Sequence, residues 1–259
     1  MHSSEKSVIS LLPDPGVLVV SKRRSETLSD LLLRTRKEKN IPAETKITYA
    51  GRLDPMAEGL VILLVGESRY EKEKYQSLDK KYLFEVLFGV ATDTFDALGK
   101  IQNVNFKNIS EQDIRNVLPQ IQQMNFEYPP FSSKPHDGEP MFMHARKNTL
   151  PEKLPLQKGK IKELKLLSIE EKDLAKVLDE IISDIEKVNG DFRQSEIIED
   201  WKKLKEKNIV NVTIGTFEAS VTSGLYIRSI AEAMDEVLDM PACALSIKRI
   251  QIGNIVPID

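Results

Sequence analysis

Apolar positions follow two rhythms along the chain. Val17, Leu18, Val19 and Val20 form a short run suited to a strand, and Leu60-Val61-Ile62-Leu63-Leu64-Val65 has the composition of a strand buried on both faces. Further strands are predicted at 82–88, 210–221 and 244–252. Helical spacing fills the intervals. Thr27 or Ser29 is placed to cap a helix carrying Leu28, Leu31 and Leu32 and ended by Pro42, and Ser110 to cap one with Ile114, Val117, Leu118 and Ile121 on one face. After the turn Thr222-Ser223-Gly224, Ile230, Ala233, Met234 and Val237 mark a late helix. The stretch 68–78 reads as a mostly solvated helix, and a short helix is expected through Ala145-Arg146.

The pattern changes over 170–208. It becomes long, charged and helical, with Leu174, Leu178, Ile181, Ile185 and Val188 at helical spacing and a break near Asn189-Gly190. Twelve acids stand there against eight bases, so a solvated helical hairpin is expected, inserted into a single domain spanning 1–259. Because strands come both in hairpin-like succession and with helices between them, regular alternation fails. The expected fold is α+β: a mixed, largely antiparallel sheet with flanking helices and a helical insertion.

Composition narrows the class without naming a function. Apolar residues at 41% and charged residues at 30% are the balance of a globular protein. The apolar stretch 11–20 is interrupted by Pro13, Asp14, Pro15 and Gly16, so no run approaches the roughly 18–20 residues that span a bilayer. With no signal-peptide core either, a cytoplasmic protein without membrane contact is expected. Cys243 has no cysteine partner and lies in an apolar setting, which predicts a packed thiol, and His2, His136 and His144 are too sparse for a metal site. A net charge of −3 argues against a polyanion partner until its distribution is considered. Residues 21–46 hold eight bases and four acids, so that stretch carries +4 and the remainder −7. A local basic patch is compatible with RNA.

The candidate chemistry centres on Gly51-Arg52-Leu53-Asp54-Pro55-Met56-Ala57-Glu58-Gly59-Leu60. Read alone, Asp54 before Pro55 predicts a helix cap, with Arg52 as a local ion pair. Other segments change that reading. Asp79-Lys80-Lys81-Tyr82, then Gly89 and Thr92-Asp93-Thr94-Phe95-Asp96 with Gly99, form a second block; Pro130, Phe131, Ser132 and Ser133 with Gly138 and Ala145-Arg146 form a third. Ser223-Gly224-Leu225-Tyr226-Ile227-Arg228-Ser229 and Ile247-Lys248-Arg249-Ile250 complete the set. In this order the five blocks resemble the TruB family of pseudouridine synthases, from about Gly16 to about Val256 with the 170–208 segment set aside.

The resemblance implies the pseudouridine synthase fold and a reaction that breaks the N1–C1′ bond of uridine, turns the uracil and joins C5 to C1′. It implies that Asp54 is the catalytic carboxylate, attacking C1′ or drawing off the 2′ proton, and that Arg228 pairs with it. Tyr82 would stack on the extruded base, Tyr226 would assist proton transfer at C5, and Ile247 would pack on the uracil face. Tyr49 stands where the family commonly has a base-flipping histidine, and Arg52 is assigned to the substrate beside it. Lys22, Arg23, Lys248 and Arg249, with Arg24, Arg34, Arg36 and Lys37, are the expected phosphate contacts. Neither a metal nor a cofactor is implied. RNA is the expected partner, first of all uridine 55 of the tRNA T loop, with no DNA and no membrane, and the protein is expected to be a monomer. The alternatives are the same chemistry on another RNA, or a catalytically weak tRNA-binding protein that aids folding.

Departures fall on parts that would grip RNA. Lys22-Arg23-Arg24-Ser25-Glu26-Thr27 replaces the family's Lys-Pro-x-Gly-x-Ser, Phe142 replaces a tyrosine, and Lys134-Pro135 interrupts the serine loop. The C-terminal RNA-binding PUA domain of many relatives is expected to be absent.

Overall fold

The computed structural model describes residues 8–11, 14–207 and 209–256; His2 and the last position of the 170–208 segment fall outside them. In chain order the elements are β1 (Val8–Leu11), β2 (Val17–Lys22), α1 (Leu28–Glu38), β3 (Ile47–Ala50), β4 (Ala57–Val65), α2 (Lys72–Gln76), β5 (Lys80–Phe88), β6 (Val90–Thr92) and β7 (Ile101–Val104). They continue with α3 (Glu111–Gln123), β8 (Pro135–His136), β9 (Glu139–Pro140), α4 (Met141–Lys147), β10 (Ile161–Asp173), α5 (Leu174–Glu186), α6 (Gln194–Lys205), β11 (Asn211–Val221), α7 (Arg228–Leu238) and β12 (Ala242–Ile252). Thr27 and Ser110 both close capping boxes, with Asp30 and Asp113 as the reciprocal acids. The helix after Thr27 stops at Glu38, short of Pro42.

Eight strands form one sheet in the order β1-β2-β4-β12-β5-β11-β10, with β3 also on β4. Every pairing is antiparallel except β12 with β4. The fold is thus the α+β type expected. Strand β4 has β2 on one edge, and its other edge is shared by β3 near Ile62–65 and β12 at residues 57–59. The loop from β3 back to the start of β4 must therefore turn in the gap between β3 and β12. Gly59 makes the parallel pairing possible. Its φ is +102°, and a Cβ there would lie 2.3 Å from the Arg249 carbonyl oxygen.

The pleat sorts side chains onto two faces. Phe84 and Val86 of β5, Phe217 and Ala219 of β11 and Ala244 of β12 join Ile114, Leu118 and Ile121 of α3 and Ile230, Ala233 and Met234 of α7 in one core. Phe84 and Phe217 are cross-strand partners whose rings stack at 5.3 Å. On the other face Leu87, Val212, Ile214, Cys243 and Leu245 meet α5 and α6. Burial pushes the Cys243 thiol pKa up, as a packed thiol requires.

This second face corrects two expectations. Strand β10 runs through Asp173, so the first four residues of the 170–208 segment are strand, not helix. The hairpin is also not a solvated appendage. Leu178, Ile181, Ile185, Ile197 and Trp201 are fully buried against the sheet, and the Trp201 indole N–H donates to the Ala97 carbonyl at 3.1 Å. Its acids are spent on the solvent face and in ties to the body, among them Asp184 with Arg24. Among the described residues, no helix is long and apolar enough to cross a membrane.

Candidate active site

The loop from β3 to β4 carries Asp54. No helix follows it, contrary to the cap expectation. Residues 54–57 make a turn in which the Ala57 N–H donates to the Asp54 carbonyl at 3.0 Å, and the chain enters β4 at once. Pro55 suits such a turn because its φ is preset and it has no N–H to satisfy. The Asp54 carboxylate is consequently not consumed by capping.

Two buried cations fix the backbone of this loop from either side. The Lys22 ammonium, at the end of β2, donates to the carbonyls of Pro55 at 3.1 Å, Ala57 at 2.5 Å and Arg23 at 3.0 Å. Burial pushes its pKa down to about 8, with nearby Glu26 and Asp54 resisting the fall. From β12, Arg249 donates through Nε to the Leu60 carbonyl at 2.7 Å and through Nη2 to Gly51 and Arg52 at 3.2 and 3.4 Å. Gly51, at φ +88°, lets the loop come close: a Cβ would sit 3.2 Å from the Arg249 guanidinium. Lys22 and Arg249 are each 1% exposed. Lys22 is therefore no phosphate contact, and Arg249 spends its donors on the loop; both expectations are corrected, because a buried cation must be satisfied internally.

Arg228, 2% exposed, lies at the first residue of α7. The preceding turn is pinned by Gln157, which accepts from the Tyr226 N–H at 2.7 Å and donates to Ser229 Oγ at 2.8 Å. Arg228 donates through Nε to Asp54 Oδ2 at 3.0 Å, through Nη1 to the Thr94 carbonyl at 2.6 Å and through Nη2 to the Phe131 carbonyl at 2.9 Å. A second carboxylate, Asp96, stands 3.8 Å from the same Nε. It is 5% exposed and accepts from Thr94 Oγ1 and the Leu98 N–H. Burial pushes the Asp96 pKa up to about 6, with Arg228 opposing and Asp54 reinforcing. Arg228 is held cationic by Asp54 and Asp96 against the cost of its own burial.

Asp54 opens onto a cleft of about 290 Å³ walled by Tyr82, Tyr128, Tyr226 and Ile247. Tyr226 packs edge-on to Tyr128 at 5.8 Å, and its ring lies 5.3 Å from the Arg228 guanidinium carbon. Burial, and then the Asp54 charge, push the Tyr226 pKa up to about 12, so the phenol keeps its proton at neutral pH. Tyr82 is 6% exposed, with the Arg249 guanidinium carbon 5.9 Å from its ring. At the mouth Arg52 and Lys72 both approach the Tyr49 ring, at 5.5 and 5.4 Å, and Lys134 lies over Tyr128 at 5.2 Å. Arg52 also donates to Ser133 Oγ at 2.5 Å. Buried Lys22, Lys80, Arg228 and Arg249 are thus accompanied here by buried Asp96 and half-buried Asp54, with Glu26 and Glu58 close to Lys22 and Asp79 close to Lys80.

This arrangement can be compared with known proteins. The sequence model of the TruB family pseudouridylate synthase (N terminal domain) matches residues 39–190, which include Asp54, Tyr82 and Asp96. The chain belongs to the TruB family. A tRNA pseudouridine synthase B of Caldicellulosiruptor saccharolyticus is 27% identical over 239 residues, 92% of this chain and 67% of that protein. Those of Opitutus terrae and Thermosipho melanesiensis are 34% identical over 142 residues and 28% over 240, covering 58% and 64% of their lengths. This chain thus spans about two thirds, or somewhat less, of the TruB relatives it matches. Among solved structures, a Cbf5-Nop10-Gar1 complex aligns over 94% of this chain and 50% of that one at TM-score 0.57 and 16% identity. An H/ACA RNP bound to a substrate RNA containing 2′-deoxyuridine aligns over 94% and 49% at 0.56 and 14%. Both show the shared fold.

Of the residues singled out in the sequence, the TruB-like cleft gathers Asp54, Tyr82, Tyr226, Arg228, Tyr49, Arg52, Ile247 and Arg249. It does not gather Lys22, Arg23 or Lys248. Arg23 is exposed elsewhere, and Lys248 is exposed beside Glu58 at 3.5 Å. Of the other basic residues of the 21–46 patch, Arg24 is engaged with Asp184 and the Leu245 carbonyl, Arg34 with Glu26 and Arg36 with three carbonyls, while Lys37, Lys39 and Lys46 are exposed outside the cleft. The sequence reading gives no site role to Asp96, Lys72, Tyr128 or Lys134. Asp96 does carry a signal, the Thr-x-Thr-x-Asp spacing of its turn; Lys72 and Lys134 carry none, being single lysines in polar stretches.

Proposed function

We propose that this protein isomerises a uridine in structured RNA to pseudouridine, with uridine 55 of the tRNA T loop as the target. The observation that carries the reading is the Asp54–Arg228 pair at 3.0 Å, at the wall of a cleft lined by Tyr82, Tyr128, Tyr226 and Ile247. Arg228 orients one carboxylate oxygen of Asp54, leaving the other oxygen to meet C1′ or the 2′ hydrogen of a base-flipped nucleotide. Tyr82 and Ile247 give the uracil an apolar slot. Tyr226, protonated and beside Asp54, is placed to relay the proton that leaves C5 after rejoining. The reaction is an internal rearrangement, so no group is added and nothing is oxidised.

The names of the TruB relatives support tRNA as substrate. Arg52, Lys72 and Lys134 at the cleft mouth would meet the phosphates in place of the 21–46 patch. The protein would act in the cytoplasm as a monomer, its residues 1–259 one catalytic unit. The test is incubation with unmodified tRNA followed by carbodiimide-blocked primer extension. A stop at position 55 that is lost in Asp54→Asn is expected; a stop that survives in the variant, or no stop in any RNA offered, refutes the assignment.

A further inference from the structure

Asp54 borders two cavities. Besides the tyrosine cleft, a second opening of about 560 Å³ shares Tyr49, Arg52, Asp54 and Arg228 with it and continues on the other side of the Asp54 loop. Its far wall includes Phe131, Phe142 and Phe192, all half-buried. Phe192 packs in part on the apolar core of the hairpin and the Arg193 guanidinium covers one face of Phe131, so these rings are fixed on one side while still lining the hollow. Arg146 and Arg193 stand beside them.

Phe192 comes from the connector between α5 and α6. That connector is held firmly. Arg193 has φ 65° and donates to both oxygens of Asp93, at 2.6 and 3.1 Å, while its guanidinium lies 3.9 Å above the Phe131 ring. Arg146 donates to the side chain and carbonyl of Asp191 at 2.8 and 2.6 Å, and Asn189 donates to Asp30 at 3.0 Å. Phe192 is thus presented from a pinned loop whose flanking residues grip the turn and the chain that supply the two carbonyls to Arg228. This gives the helical hairpin a reason to reach the site.

The chemistry of the substrate suggests what fills the second cavity. C1′ carries the base on one side and, through the ribose, the two phosphodiester continuations of the strand on the other. With the uracil in the tyrosine cleft and C1′ at Asp54, the strand has two continuations, and the second opening at Asp54 offers one of them a path besides the cleft mouth. We propose that Phe192, with Phe131 and Phe142, forms a stacking subsite for the nucleotide next to the target uridine, so that the hairpin is a substrate-reading element. Arg146 and Arg193 are spent on Asp191 and Asp93, so the subsite would hold its nucleotide by stacking on the rings and not by contact with its phosphate. The inference rests on the proposed uridine isomerisation.

The experiment measures Kd for a short stem–loop RNA with an abasic nucleotide on the 5′ or the 3′ side of the target, using wild type, Phe192→Leu and Phe192→Trp. Leucine keeps the apolar packing without a flat face; tryptophan keeps the face. Phe192→Leu is expected to weaken binding of intact RNA roughly tenfold or more, the size of one base–aromatic stack, with Phe192→Trp near wild type. One abasic position should weaken wild type by a similar factor and add little to the Phe192→Leu loss. Equal binding by Phe192→Leu, or abasic losses that multiply with the substitution at both positions, overturns the subsite. Primer-extension mapping with wild type and intact RNA runs alongside. Product without coupling to Phe192 rejects the subsite alone, whereas no product from any RNA rejects the reaction on which it rests.

Discussion

Replacing Arg228 with lysine keeps the positive charge and removes the geometry. The guanidinium now meets three acceptors in three directions, Asp54 at 3.0 Å, the Thr94 carbonyl at 2.6 Å and the Phe131 carbonyl at 2.9 Å. A single ammonium on a shorter reach can serve one of them. Two hydrogen bonds from a charged donor are lost at about 1.5–3 kcal/mol each, and buried Asp96 loses part of its counter-charge. Some relaxation offsets this, so the expected destabilisation is about 3–5 kcal/mol. At about 2–4 °C per kcal/mol for a chain of this size, Tm should fall by roughly 6–20 °C. The chemical step should fall further than folding alone explains, since an unoriented Asp54 misplaced by about 1 Å costs on the order of 10²-fold. Calorimetry gives the first quantity, and single-turnover pseudouridine formation at a temperature where both proteins are folded gives the second. A Tm within about 2 °C of wild type with a rate within about threefold would show that the guanidinium fork does not hold the site, and the reasoning from its three bonds would fail.

Other substitutions probe separate links. The Asp96 carboxyl is pushed up to about 6 from 3.8, so its contribution to stability is fully present below pH 3.8 and is lost as pH rises through about 6. Asp96→Asn should therefore gain on wild type by up to about 3 kcal/mol between pH 4 and 7 in parallel urea titrations, and a constant difference would contradict the shift. Gly59→Ala drives a Cβ to 2.3 Å from the Arg249 carbonyl at a φ of +102°; a loss of about 3 kcal/mol or more is expected by denaturant unfolding, and a near-native midpoint would mean that β4 and β12 are not so paired. Trp201→Ala empties a fully buried site of the hairpin and should cost about 3–5 kcal/mol. Indifference to that change would return the hairpin to the status of a solvated appendage.

The parts of this fold that could be read from the chain are those whose pattern is local. Strand β4 shows as an unbroken apolar run because Val61 and Leu63 face one core and Leu60, Ile62 and Leu64 another. Strand β10 was hidden, since register shifts near Ile161 and Leu166 break its alternation and much of it is exposed. The hairpin misled because acids dominate its count while a single apolar stripe decides its position. At the site, Asp54 and Arg228 stand out only through the blocks around them, 174 positions apart in sequence and 3.0 Å apart in space. Lys22 and Arg249 look like surface cations in any charge tally. What they do depends on which carbonyls the sheet order brings within reach, and that order is a long-range property.

The sheet order has a consequence for how the protein is made. Among the described strands β12 comes last in sequence, yet it lies between β4 and β5. Until the ribosome has delivered it, the two halves of the sheet have no common seam, and each offers an unpaired strand edge to other chains. Arg249 arrives with that strand, so the Asp54 loop gains its second clasp only after β4 and β5 have been joined through β12. A nascent chain that still lacks β12 is thus expected to be inert toward RNA and prone to association, and to close its sheet and its site together once that strand is made.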